Sequence, residues 1–547
     1  MPHRPDDAPA CLRELRLLDG PNLYFSRAAA KVVLDVGHVL ALDEAGFRAL
    51  GWIGTVSRPG PAGSEVRARV LARSLVDVTR RLAATAGVRR LAVRSRPGPE
   101  AGQLTVAFPW RRRGLALALG VALARALEGV EVNLADVEPG PEAATPRPRI
   151  PVVAVTGTNG KTTTTRLIAH MSRCAGNITG WSSTDGIYLD GVMLEEGDWS
   201  GYGGAGRILS NPRVQLAVLE TARGGLLLRG AGALHNDVSV VTNVGADHLG
   251  LQGIHTVDEL AEVKAVVPRI TREGGWCVLN AQDPRVLAMR TQSKSRPWVF
   301  SLDPDAPGVR SALDGHGRAM TVLDEQVTVL AEGGLVDPII ALADIPMTLS
   351  GLSRHDVANA LAAAAAGLAI GLPREAVREG LRTFSAAENP GRMNLWDVNG
   401  TVVSLDLAHN EDGLVALLSV VRGLRLPGGR VVTVLGSAGD RLDSQLRELG
   451  HRARHGSDEV VIALKNDYLR GRSGEELVGL LRSGAGEVPA YDDEVTALSA
   501  VLLGRRPEDA VALMCHQDRI GCEQVLLEAG GVRMTPARIR DRVRAAS

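Results

Sequence analysis

Lys161 and Thr162 are the residues of this sequence whose types and setting speak most directly of chemistry. They close the run Val152-Val153-Ala154-Val155-Thr156-Gly157-Thr158-Asn159-Gly160-Lys161-Thr162-Thr163. A short β-branched strand flows into a Gly-rich turn, and Thr164 to Met171 then reads as a helix. Strand, glycine loop and helix in that order predict a phosphate-binding loop. Its backbone N–H groups, from Thr158 to Thr163, close around phosphate oxygens, and the helix N-terminus adds partial positive charge. Lys161 reaches the terminal phosphates, and the Thr162 hydroxyl suits Mg2+. The strict nucleotide-loop pattern has glycine at position 155, where this chain has Val155.

Further polar residues stand where apolar strands end. Leu216–Leu219 delivers Glu220, a hard oxygen ligand, to the carboxyl edge of a sheet, where ligands of open α/β sheets collect. Val238–Val241 leads through Thr242-Asn243-Val244-Gly245-Ala246 to Asp247-His248. Mg2+ rarely takes histidine, so His248 by itself reads as a hydrogen-bonding residue. Lys264, in Glu262-Val263-Lys264 on a following helix, is either an ion-pair partner or, as a carbamate, an anionic ligand. Asn280 ends the strand Trp276–Leu279 and can read an adenine edge. Arg392 follows the Asn389-Pro390-Gly391 hinge, and Asp406 ends a further strand. An Arg that swings over a terminal phosphate and an Asp that holds ribose or a metal-bound phosphate would couple closure to chemistry.

Composition excludes several classes. Lys plus Arg equal Asp plus Glu, at 62 each, so no global field recruits nucleic acid or an acidic membrane. Aromatics make up 3%, too few for base-stacking platforms. The five cysteines are scattered with no CxxC pair, and Cys515-His516 with Cys522 reads first as ordinary core and loop, with a metal fragment as the alternative. No apolar run is long enough to span a bilayer, and the amino terminus has no signal-peptide pattern, so the chain reads as cytoplasmic. Only five lysines occur, and Lys161 and Lys264 are two of them. In a chain that defaults to Arg, a Lys marks a place for a compact primary amine.

The elements that position these residues form an α/β chain of three domains. Residues 1–148 read as a small α/β amino-terminal domain, with strands at Leu12–Leu18, Lys31–Val36, Leu91–Val93 and Leu104–Phe108 and helices at Val66–Ala86 and Leu115–Leu127. Pro139, Pro141, Pro146 and Pro148 make a stiff linker. Residues 149–390 read as a central P-loop ATPase domain with a parallel sheet covered on both faces. Residues 391–547 read as a Rossmann-like α/β domain with strands near Val402–Leu405, Val431–Leu435, Val460–Leu464 and Ala510–Met514.

Taken together these motifs resemble the Mur ligase superfamily, which includes peptidoglycan amino-acid ligases, folylpolyglutamate synthetase and the carboxy-terminal module of the cyanophycin synthetases. The superfamily spells the loop Thr-Gly-Thr-Asn-Gly-Lys-Thr, as at 156–162, and also lacks the first glycine. Ser183-Thr184-Asp185-Gly186-Ile187-Tyr188, Leu219-Glu220-Thr221-Ala222-Arg223-Gly224-Gly225 and Val244-Gly245-Ala246-Asp247-His248-Leu249-Gly250 resemble the cyanophycin synthetases most, as does Leu17-Leu18-Asp19-Gly20-Pro21-Asn22 near the start. Those enzymes carry an ATP-grasp module between the two parts. Here the linker at 139–151 joins them directly, so the aspartate-adding site is missing.

The resemblance implies ATP and Mg2+ as cofactors. Lys161, Arg392, Lys264 and His248 become the catalytic set, with Lys264 matching a lysine carbamylated in many relatives. Thr162, Glu220 and His248 become metal ligands, Asn280 the adenine contact, and Arg392 and Asp406 carboxy-domain ATP contacts. Gly351 to Asn359 resembles a Gly-x-His-Asn-x-x-Asn segment, but Asp356 stands where Asn is usual, so no role is assigned to it. The implied activity is an ATP-dependent, ADP-forming carboxylate–amine ligase working through an acyl phosphate. It would join an amino acid, with arginine the named candidate, to an acidic peptide or isopeptide. A homo-oligomer is expected, with no nucleic-acid or membrane partner. The alternatives are an amide ligase for a different natural product and a non-catalytic ATP-binding partner of a separate ATP-grasp protein.

Overall fold

The computed structural model describes residues 9–51, 58–247 and 249–546. Three sheets organise them, of four, eleven and seven strands. The first is antiparallel, in the order Leu12–Leu18, Ala29–Asp35, Gln103–Pro109 and Arg94–Pro97. The helices Glu65–Thr85 and Arg113–Leu127 bury Leu71, Leu75, Leu119 and Leu123 with strand residues Leu15, Val32, Val106 and Phe108. Ser64 caps the first of these helices by accepting from the Arg67 N–H. The strand expected at Leu91–Val93 begins instead at Arg94. Period-2 patterning is too weak over three residues to fix where an edge strand starts. The proline-rich linker is not a free spacer: Arg113 and Gly114 donate backbone N–H bonds to Pro141 and Pro139, tying it to the helix start.

The eleven-stranded sheet has a parallel centre. Arg318–Leu323, Arg296–Ser301, Thr271–Asn280, Asn236–Val241, Val152–Thr156, Leu216–Glu220 and Thr179–Ser182 lie side by side in that order. Hairpins extend both edges antiparallel, Gln326–Ala331 with Leu335–Ala341 on one side and Gly186–Leu189 with Val192–Glu196 on the other. The middle strands Val152–Thr156, Leu216–Glu220 and Asn236–Val241 are buried at every residue because helices cover both faces. On one face the helix Lys161–Cys174 packs with Arg354–Ala369 and Arg374–Thr383 over Val153, Val155, Val240, Val278, Trp298 and Phe300. On the other, helix Val257–Lys264 buries Leu260 and Val263 against Val241 and Leu279.

The third sheet runs Ala490–Tyr491, Glu459–Ala463, Val431–Leu435, Ala510–Met514, Thr401–Asp406, Asn394–Val398 and Gly531–Arg533. The first five are parallel, and Asn394–Val398 runs antiparallel between Thr401–Asp406 and Gly531–Arg533. Val152–Thr156, Leu216–Glu220, Asn236–Val241 and Thr401–Asp406 all send their carboxyl ends toward one cleft between the second and third sheets. Among the described residues, no helix is long and apolar enough to cross a membrane.

Candidate active site

The cleft holds about 960 Å³ and is lined by the loop Gly157–Thr163, by Glu220, Asp247 and Lys264, and from the carboxy-terminal side by Arg392, Asp406, His409 and Asp412. The loop is clamped against the end of the neighbouring strand. Thr158 N–H donates to Asn243 O at 2.9 Å, Asn159 N–H to Asn243 Oδ1 at 2.9 Å, and Thr242 Oγ1 to Asn159 O at 2.6 Å. Gly157 (φ +150°) and Gly160 (φ +83°) are required by this packing. A Cβ on the first would run into the Thr242 hydroxyl, and one on the second into Asn359 Oδ1. Lys161 Nζ folds back to Thr158 O at 2.7 Å.

Glu220 is fully buried at its strand end. Its Oε1 accepts from Thr162 Oγ1 at 3.2 Å and its Oε2 from the Thr184 N–H at 3.4 Å. Burial pushes its pKa above the ordinary carboxylate value, although Lys161 and Arg392 pull the other way. A buried carboxylate and a hydroxyl side by side are hard oxygen donors, and they fit Mg2+. Arg392 reaches the same point, its Nη2 lying 3.4 Å from Thr162 Oγ1. His248 lies outside the described residues.

Lys264 ends the helix Val257–Lys264, which Thr256 and Glu259 start with a reciprocal capping box. Its Nζ is buried and donates to Gly157 O at 2.6 Å. Burial, then the charge of Lys161, holds its pKa well below the ordinary lysine value. Asp406 is pushed up by burial, against Arg392 and His355, and its Oδ2 accepts from the Met393 N–H at 2.7 Å. Asn280 is not among the cleft-lining residues. Its Nδ2 donates to Thr242 O at 2.8 Å and its Oδ1 accepts from the Gln282 N–H, so it braces the strand ends.

The Gly351–Asn359 segment, left without a role above, lines the cleft with His355, Asp356 and Asn359. Asp356 accepts from Ser353 Oγ at 2.8 Å and from Asn359 Nδ2 at 3.2 Å, and lies 3.2 Å from His355 Nε2. This turns Asn359 Oδ1 toward Gly160. Burial opposes charge on His355, yet Asp356 and Asp406 outweigh it and hold its pKa above the ordinary value. Burial likewise opposes ionisation of Asp356, but His355, Ser353 and Asn359 together hold its pKa low.

Sequence reasoning missed the groups that hold the lobes together. Arg441 pairs with Asp247 in a buried contact, and His409 Nε2 lies 3.6 Å from the same carboxylate. Asn159 and Asn410 exchange side-chain amide bonds at 3.2 and 3.0 Å. Asn410 also caps the helix Glu411–Leu424. The available signal was position: Arg441 and Asn410 both stand shortly after parallel strands of the third sheet.

The profile of the Mur ligase middle domain matches residues 155–367, and that of the Mur ligase, glutamate ligase domain matches residues 391–516. The chain belongs to the Mur ligases. It is 42% identical over 362 residues to a cyanophycin synthetase of Synechocystis sp., covering 65% of this chain and 41% of that one. It is 41% identical over 338 residues to the cyanophycin synthetase of Crocosphaera subtropica, covering 61% and 38%. The chain thus spans about two fifths of the length of these relatives. The fold resembles E. coli FolC, solved in complex with DHPP and ADP, with a TM-score of 0.50 at 19% identity, covering 70% of this chain and 90% of that one. In this Mur ligase the expected residues Lys161, Thr162, Glu220, Lys264, Arg392 and Asp406 share one cleft.

Proposed function

We propose that this Mur ligase is an ATP-dependent, ADP-forming carboxylate–amine ligase that joins an amino acid, arginine first among the candidates, to an acidic peptide or isopeptide carboxylate. The observation that carries the reading is the meeting of Lys161 and Thr162 from the phosphate loop, Glu220 from the central sheet and Arg392 from beyond the hinge. Similarity to the cyanophycin synthetases supports the choice of substrates.

A carboxylate is anionic and its oxygen is a poor leaving group. Transfer of the ATP γ-phosphate to it makes an acyl phosphate. The amine then attacks the carbonyl carbon, a tetrahedral intermediate forms, and phosphate departs with the C–O bonding pair. Two anions must approach in the first step. Lys161 and Arg392 offset that repulsion and hold the groups in line. A Mg2+ ion held by Thr162 and Glu220 would neutralise phosphate charge and act as a Lewis acid. The cross-lobe contacts of Asn159 with Asn410 and Asp247 with Arg441 close the cleft and exclude water, which would otherwise hydrolyse the acyl phosphate.

The test is ATP consumption with pooled amino acids and acidic peptides, followed by product mass. ADP, phosphate and an amide product are expected, with Lys161→Ala slowing turnover at least ~100-fold. Amide formation by Lys161→Ala at the wild-type rate would refute the reading. Turnover confined to acceptors without an aspartate side chain would assign the chain to a different amide product. ATP binding without turnover across the panel would make it a non-catalytic partner.

A further inference from the structure

We propose that Arg166 is a positioning residue that ties the phosphate-loop helix to the inter-lobe hinge and thereby sets Arg392 over Thr162. The inference rests on the reading of the cleft as an ATP site. Thr162 and Arg166 are four residues apart on the helix Lys161–Cys174 and so share a face. The Arg166 side chain is 6% exposed. Its Nη1 donates to Asn389 Oδ1 at 3.1 Å and to Pro390 O at 3.2 Å, and its Nη2 pairs with Asp185. One turn back, Thr163 Oγ1 accepts from Asn389 Nδ2 at 3.4 Å. The helix that presents Lys161 and Thr162 to the cleft therefore also grips Asn389 and Pro390 of the hinge.

Beyond the grip the chain is stiff. Gly391 N–H donates to Asn394 Oδ1 at 2.7 Å, Asn394 Nδ2 to Arg392 O at 2.9 Å and to Asn389 O at 3.2 Å, and Met393 N–H to Asp406. Arg392, two residues past Pro390, leaves this braced turn and reaches Thr162. Arg166 itself does not line the cleft, so any effect it has on nucleotide must pass through other groups. Holding one guanidinium buried near another is costly, and burial with the charge of Arg392 opposes its protonation while Asp185 sustains it. An apolar residue could fill the space. It could not hold a backbone carbonyl and an amide oxygen at once.

The experiment measures the affinity of a fluorescent ATP analogue, with Mg2+, for wild type, Arg392→Ala, Arg166→Met and the double variant. No acceptor or amine is needed, so it is independent of substrate identity. Thermal unfolding checks that each variant is folded. Arg392→Ala and Arg166→Met are each expected to weaken binding roughly tenfold, the double variant no more than Arg392→Ala alone, and Arg166→Lys by an intermediate factor. Should Arg166→Met not fold, Asn389→Ala takes its place in the cycle with the same expectation. Wild-type affinity in Arg166→Met or Arg392→Ala, or losses that multiply in the double variant, would overturn the inference while leaving the ATP site standing. Failure of the wild type to bind the analogue would overturn the ligase reading as well.

Discussion

Replacing Arg441 by Met should open the cleft without unfolding the protein. Arg441 follows the strand Val431–Leu435 of the third sheet, and Asp247 follows Asn236–Val241 of the second, so their pair spans the lobes. The two side chains are only 7% and 10% exposed. Removing one partner of a buried pair costs up to about 3–5 kcal/mol while the site stays closed, less the attraction that the nearby Arg223 guanidinium still offers Asp247. Opening lets water reach Asp247, so the cost falls on the closed population rather than on the folded state. At about 1.4 kcal/mol per decade this shifts closure by roughly two to three and a half orders of magnitude. Arg223, whose charge also acts on Asp247, keeps part of the attraction, which favours the lower end. Each lobe keeps its own core, Val153 with Val240 and Phe300 in one and Leu414 with Leu435 and Ile462 in the other. The unfolding temperature should therefore move by no more than a few degrees. Small-angle scattering would report a larger radius of gyration in the presence of Mg·ATP, and turnover would fall. The double variant Arg441→Met/Asp247→Asn leaves no stranded charge and should recover compactness in part. An Arg441→Met protein as compact and as active as wild type would refute the clamp. So would one that loses its folded core instead.

Other groups give separate tests. Burial raises the Glu220 pKa, so in chelator the wild type should lose stability as pH rises from about 4.3 through the raised folded value. Glu220→Gln should flatten that slope and melt higher at pH 7, yet gain less from added Mg·ATP; a lower melting temperature in chelator would count against the reading. The buried, low-pKa amine of Lys264 is set up to capture CO2, so turnover should depend on bicarbonate and be lost in Lys264→Arg. Unchanged activity in CO2-free buffer would exclude a carbamate. The raised pKa of His355 makes its contribution complete below about pH 6.5 and lost as pH rises through its folded value. The lowered pKa of Asp356 makes its own contribution complete above about pH 3.9. The pair should thus stabilise most between these limits, and His355→Gln should reduce the fall in melting temperature expected of the wild type from pH 6 to pH 8.5.

The phosphate loop and the strand-end residues were legible because their meaning is local. A strand, a glycine turn and Lys-Thr define the loop within a dozen residues, and Glu220 and Asp406 each end an apolar run that must point to the carboxyl edge of a parallel sheet. The edge hairpins Gly186–Leu189 with Val192–Glu196 and Gln326–Ala331 with Leu335–Ala341 went unread. Gly186–Leu189 has only four residues, and the other three are exposed along part or all of their length, so they lack the continuous apolar runs that announced the centre. Asn280 was legible as a strand-end amide but not in its bonding. Only the neighbouring strand, with Thr242 O at 2.8 Å, shows what the amide is committed to. Arg166, Arg441 and Asn410 act across gaps of 194 to 251 residues, or through a hinge whose closed form no local pattern encodes.

The charge of the cleft explains why the resemblance to ATP-using relatives carries a metal with it. Asp198, Glu220, Asp247, Asp356, Asp406, Asp412 and Asp440 line it, against Lys161, Arg223, Lys264, Arg392 and Arg470. Lys264 is held toward its neutral form, which weakens the positive side further. The lining thus carries seven carboxyl groups against five Lys or Arg side chains, with His355 adding to the positive side. Burial raises the pKa values of Glu220 and Asp406 against the pull of Arg392. Protonating those carboxylates would remove the hard ligands the loop hydroxyl is paired with, so protons are a poor substitute. On the proposed ATP reading, a divalent cation entering with the nucleotide would add positive charge beside Thr162 and Glu220. On this argument Mg2+ and ATP bind as linked ligands, and their affinities should rise together by the same factor.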